Sequence, residues 1–89
     1  MVARELRIIN KLGLHARAAA KLVHMAARFK SEMKICKGEE IVDAKSILGI
    51  LLLAAAHGST ITVTATGEDE EAAVQSIESL VASKFDESE

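Results

Sequence analysis

The strongest constraint on how this chain folds is the run Thr60-Ile61-Thr62-Val63-Thr64-Ala65-Thr66, which alternates polar and apolar without a break. Side chains on a strand point to opposite faces with a period of two. The run therefore buries Ile61, Val63 and Ala65 and leaves a row of β-branched threonines on a wet face. A sheet with one wet side is antiparallel, because parallel sheets are covered on both faces. Two more segments alternate in the same way: Leu6 and Ile8 with Glu5 and Arg7, and Met33 and Ile35 with Lys34 and Cys36. Lys37-Gly38-Glu39 is a turn signal, so the short Glu40–Asp43 segment reads as the second arm of a hairpin.

Helical periodicity fills the gaps between these strands. From about Ala16 to Phe29, the polar residues Arg17, Lys21, His24 and Arg28 form one stripe, with Leu22, Val23, Ala26 and Phe29 on much of the opposite side. That pattern predicts a helix lying on apolar surface with a basic face to solvent. Ala44-Lys45-Ser46 opens a second helix, expected to run to a glycine stop near His57-Gly58. A third follows Gly67-Glu68-Asp69, with Asp69 as its cap, Glu70 and Glu71 at its positive start, and Val74, Ile77, Leu80 and Val81 as its buried stripe. The order βαββαβα implies an α+β open-faced sandwich, a four-stranded and largely antiparallel sheet with three helices on one face. At 89 residues the chain is too short for two separate cores, so residues 1–89 are expected to form one domain.

Composition removes several function classes. A formal net charge of −2, with Phe29 and Phe85 as the only aromatics, argues against nucleic acid as a partner. The longest apolar stretch, Ile47 to Ala56, is about half the ~20 residues that span a bilayer, and the charged start at Arg4-Glu5 is unlike a signal peptide. No membrane insertion is expected, and the lone Cys36 fits a reducing, cytoplasmic setting. His15, His24, His57 and Cys36 lack the paired spacing of a metal site, so neither metal nor cofactor is expected. No Ser/His/Asp or carboxylate-pair arrangement supports a hydrolase.

One position does suggest chemistry. His15 stands where the glycine-containing loop Asn10 to Leu14 becomes the first helix, with Arg17 two residues on. The open amides and partial positive charge of a helix start make an anion site. An imidazole there offers a ring nitrogen as nucleophile, and once phosphorylated it faces both that field and a guanidinium fork. The helix dipole contributes ~0.3–1 kcal/mol at an exposed site, against ~1.5–3 kcal/mol for a hydrogen bond to a charged group. Arg17 is thus expected to matter more than the helix start. On local pattern alone, a capping or surface histidine beside a solvated arginine is the simpler reading.

A longer match changes the balance. The stretch Asn10-Lys11-Leu12-Gly13-Leu14-His15-Ala16-Arg17-Ala18-Ala19-Ala20-Lys21-Leu22-Val23 resembles the active-site segment of the HPr family, the histidine phosphocarriers of the phosphoenolpyruvate-dependent phosphotransferase system. Val42-Asp43-Ala44-Lys45-Ser46-Ile47-Leu48-Gly49-Ile50-Leu51 resembles the same family's regulatory-serine helix. The resemblance implies a monomeric carrier, not an enzyme, that accepts a phosphoryl group on Nδ1 of His15 from phosphorylated enzyme I and passes it to IIA domains of sugar permeases. Arg17 would steady the group in both transfers. Ala18 departs from the proline common at that position, and the Asn10–Gly13 entry and Phe85-Asp86 tail are also similar to the nitrogen-related branch.

The second helix is unusually apolar, and a helix on a sheet hides only about half its circumference. Ile50, Leu52 and Leu53 are expected in the core. For Ile47, Leu48 and Leu51 the resemblance implies a docking patch beside His15, rimmed by Arg17, Lys21 and Lys45 and suited to acidic partners. Ser46 is a natural helix cap, and the resemblance adds that an HPr kinase/phosphorylase, in hosts that have one, phosphorylates it. The rival reading is a regulator that binds other proteins according to its phosphorylation state, although such a protein could dispense with His15.

Overall fold

The fold is described from a computed structural model over residues 1–86. Strands β1 (Val2–Arg7), β2 (Glu32–Lys37), β3 (Glu40–Asp43) and β4 (Thr60–Thr66) form one sheet in the order β1-β4-β2-β3. Every neighbouring pair is antiparallel. Pairing of Leu6 with Ile61 and of Ile35 with Val63 lines up the apolar rows on one face. Helices α1 (Ala16–Ala26), α2 (Ile47–Leu52) and α3 (Glu70–Ala82) complete the expected βαββαβα order. Ile8, Leu22, Ile35, Ile50, Ile77 and Phe85 belong to one buried cluster drawn from sheet and helices. The threonine row of β4 lies on the other side, with Thr62 and Thr64 half-buried between neighbouring strands.

The helix ends differ from the periodicity, each for a local reason. α1 stops at Ala26, three residues short of Phe29, and the amides of Arg28 and Phe29 turn to the carbonyls of Met25 and Ala26. That turn brings the Lys30 and Ser31 amides to the Asp69 carboxylate, at 2.8 and 2.9 Å. Asp69 stands at the N-cap position of α3, but its side chain makes no cap bond there; it is spent on the end of α1 instead. The Ser31 hydroxyl also donates to it, and this bond, followed by that from Lys30, holds the Asp69 carboxyl below its ordinary value of 3.8.

α2 is only six residues long and does not approach His57. Leu53 turns inward to full burial, and Ala54 adopts a left-handed φ of 49°, where no helix continues. The shortened helix corrects one core assignment. Ile50 and Leu53 are buried as expected, whereas Leu52 is 73% exposed, on the outer side of the last turn.

Candidate functional site

The site begins with a loop that the sequence alone does not explain. Asn10 is fully buried, and its side-chain amide donates to the Gly13 carbonyl at 2.9 Å while the Gly13 amide donates to the Asn10 carbonyl. Gly13 has φ +68°, and a Cβ on it would lie 2.6 Å from the Ala55 carbonyl oxygen and 2.9 Å from the Ala56 Cα. Only glycine lets the two backbones approach so closely. The next amide, Leu14, donates to that same Ala55 carbonyl at 2.8 Å. The entry to α1 is thus pinned to the segment that follows α2.

His15 follows at once as the N-cap residue of α1, extended at φ −77° and ψ 179°. Its carbonyl accepts the first helical bond, from Ala19, and its side chain makes no cap bond. The imidazole is half-buried at the rim rather than in the core. The first-turn amides of Ala16, Arg17 and Ala18 precede the first intrahelical donor, so helix geometry gives them no acceptor of their own. Arg17 is exposed, and among the described residues its guanidinium enters no ion pair. Ala18 is fully buried beneath this turn, in the position where the sequence resemblance leads one to expect proline.

Two hydrogen bonds fix the second helix against the first. The Lys45 ammonium donates to the Phe29 carbonyl at 2.8 Å, just beyond the C-terminal end of α1, whereas Ala55 meets Leu14 at its N-terminal end. α2 therefore starts beside the far end of α1, and the chain returns toward His15. Eleven residues of α1 at ~1.5 Å each put Ser46 on the order of 15 Å from His15. Ser46 caps α2, its hydroxyl accepting from the Gly49 amide at 3.1 Å. Ile47, Leu48 and Leu51 are 43, 70 and 37% exposed along this path.

The basic rim is less open than its sequence suggests. Lys45 is held by Phe29, and Lys21 is half-buried, its ammonium donating to the Phe85 carbonyl. Lys21 thereby leaves the solvated stripe and anchors the terminal turn Lys84–Asp86, whose three residues all have positive φ. Sequence reasoning also missed several exposed apolar residues, among them Leu12 at 66% on the entry loop, Ile41 on β3 and Leu52. Leu12 lies within the Asn10–Gly13 turn, so its exposure follows from a loop conformation that periodicity does not report. Among the described residues no group of acids, histidines and cysteine is arranged to hold a metal, and no helix is long and apolar enough to cross a membrane.

A histidine at the open start of a helix, with an arginine in the first turn that enters no ion pair among the described residues, is an arrangement suited to carrying an anion. The family profile described as "PTS HPr component phosphorylation site" matches residues 2–83. The chain belongs to the HPr family. A phosphocarrier protein HPr from Cupriavidus necator is 48% identical over 89 residues, covering both chains completely. A phosphocarrier protein NPr from Shewanella violacea is 49% identical over 84 residues, 94% of this chain and 92% of its own. An HPr crystal structure from Thermoanaerobacter tengcongensis superposes with a TM-score of 0.97 at 40% identity, covering 100% of both chains. The chain is accordingly a phosphocarrier of the phosphotransferase system, which carries a phosphoryl group rather than catalysing turnover.

Proposed function

We propose that His15 is the residue that carries the phosphoryl group, received from phosphorylated enzyme I and delivered to IIA domains. The observation that carries this reading is the position of His15 as a half-exposed N-cap residue, ahead of three first-turn amides with no helical acceptor. In each transfer a ring nitrogen of the acceptor histidine, Nδ1 for His15, forms a bond to phosphorus. The donor's N–P bond breaks, and its electron pair returns to the donor ring. The transferring group has few covalent demands, so positioning and charge stabilisation do most of the work. Arg17 supplies charge stabilisation from this chain. One guanidinium and one helix end favour the dianion without holding it too tightly to leave.

Partners dock, in this reading, on Ile47, Leu48 and Leu51 and on Arg17, with Lys21 and Lys45 contributing positive field at the rim. Ser46 is the regulatory site. A phosphate there lies beyond the ~8 Å Debye length at physiological ionic strength from His15, so direct repulsion of the phosphohistidine is largely screened. It acts through docking, as a hydrated dianion beside an apolar patch. All 89 residues act as one monomeric, cytoplasmic domain. The near-equal likeness to an HPr and an NPr supports service in either branch of the system.

The test is incubation with labelled phosphoenolpyruvate and enzyme I purified from each branch in turn. One phosphate per chain should appear with the cognate enzyme, and none in His15→Ala. Equal labelling of His15→Ala would overturn the assignment, and the enzyme that works identifies the branch.

A further inference from the structure

The HPr-type site uses the α2 flank of α1 and leaves the α3 flank unexplained. Two adjoining hollows of about 270 and 380 Å³ lie along that flank, and both are bounded by Met25 and Arg28. Neither is lined by α2 or by the loop before His15. Their floor is apolar, from Met25, Phe29 and Leu80. Their two banks are chemically unlike. On the α1 bank stand Lys21, His24 and Arg28; on the α3 bank stand Gln75, Ser76 and Ser79, which are polar but uncharged. Among the described residues, Asp86 is the one carboxylate in the lining. Glu78, the acid beside Ser79 on α3, pairs with Arg4 at 2.7 Å. The Arg28 guanidinium rests on the Met25 sulfur at 3.8 Å, so charge and adaptable apolar surface meet along the cleft.

We propose that this cleft is a second docking surface, for an acidic amphipathic helix of a partner protein. Both hollows are open along their length, whereas small-molecule sites enclose most of their ligand. A cleft between two helices offers room for the apolar stripe of a third. α1 is about 16 Å long, from ~1.5 Å per residue over its 11 residues, which matches three turns of an occupant. The charge asymmetry sets its orientation: carboxylates toward His24 and Arg28, hydroxyl- or amide-bonding residues toward Gln75 and Ser79, and leucine-like side chains on Met25 and Phe29. Since α2 takes no part, the partner binds while the α2 patch stays available, and the carrier reports to a second protein without leaving the phosphoryl relay.

The full chain, ¹⁵N-labelled, should be titrated with a synthetic four-turn peptide carrying leucines on one face and glutamates beside them. A control peptide has the same leucines with lysines in place of the glutamates. Saturable amide shifts are expected at His24, Met25, Gln75 and Ser76 and not at Leu48 or Leu51, with the lysine peptide about tenfold weaker or more. Arg28→Glu should weaken binding to a similar degree, and Ser76→Trp, which fills the hollow from the uncharged bank, should abolish it. With the acidic peptide bound, His15 should still accept phosphate from enzyme I. Shifts confined to α2, no saturation at millimolar peptide, or equal affinity for both peptides would each overturn the proposal. Arg28→Gln serves if the charge reversal disturbs the fold.

Discussion

Gly13→Ala is the sharpest test of how the entry loop is built. Two separate costs apply. The first is conformational: an L-residue at φ +68° pays ~1–2 kcal/mol for the left-handed region. The second is contact. The added methyl would sit 2.6 Å from the Ala55 carbonyl oxygen, so the loop and the 55–56 segment must separate. That weakens the Leu14–Ala55 bond, a loss of ~1 kcal/mol. Gly38→Ala isolates the first cost, because Gly38 has φ +59° and a methyl group there would meet nothing within 4 Å. The expected destabilisation is therefore about 1–2 kcal/mol for Gly38→Ala and about 2–3 kcal/mol for Gly13→Ala. A small domain retains its fold through a loss of that size. Urea unfolding with linear extrapolation measures both variants. Phosphoryl transfer to His15 measured under folding conditions should fall in Gly13→Ala but not in Gly38→Ala, since only the former moves the start of α1. Equal stabilities for the two variants would show that the close approach to Ala55 contributes nothing.

Other expectations follow from single residues. Ala54→Gly relieves a left-handed alanine at φ 49° just past α2 and should raise stability by about 0.5–1 kcal/mol in chemical denaturation; a loss of stability would contradict the assigned conformation. The Asp69 carboxyl is held below its ordinary 3.8 by Ser31 and Lys30. Its bonds therefore stabilise the fold above pH 3.8 and are lost as the pH falls through the lowered value. Asp69→Asn should remove that part of the acid dependence, and an unchanged pH–stability curve would refute it. Ser46→Asp keeps an acceptor at the α2 cap, so its melting temperature should stay near that of the wild type while titration calorimetry shows weaker binding to enzyme I. Unchanged affinity would remove docking as the route of Ser46 control.

The part of the molecule legible in its sequence is the part governed by local period. β4 and the inward row Ile61, Val63 and Ala65 follow from alternation alone, and the placement of His15 at a helix start follows from the glycine loop ahead of it. The rest depends on where distant segments meet. Asp69 has the chemistry of a cap, but Lys30 and Ser31 compete for it and win, because the end of α1 comes to rest against it. The apolar run from Ile47 onward continues past the point where Ala54 breaks the helix, and no periodicity distinguishes exposed Leu52 from buried Leu53. Lys21 and Lys45 look like a free basic rim until backbone carbonyls from Phe85 and Phe29 reach them. Asn10 shows no pattern at all, yet its buried amide closes the turn that sets the direction of α1.

The central claim is that the imidazole at the mouth of α1 is the phosphate's seat, and NMR of the phosphorylated protein tests it directly. With ¹⁵N-histidine label, phosphorus coupling should appear on one ring nitrogen of His15, Nδ1, accompanied by shifts of the Ala16, Arg17 and Ala18 amides. Coupling to His24 or His57, or a phosphate on His15 that leaves those three amides unmoved, would contradict the account.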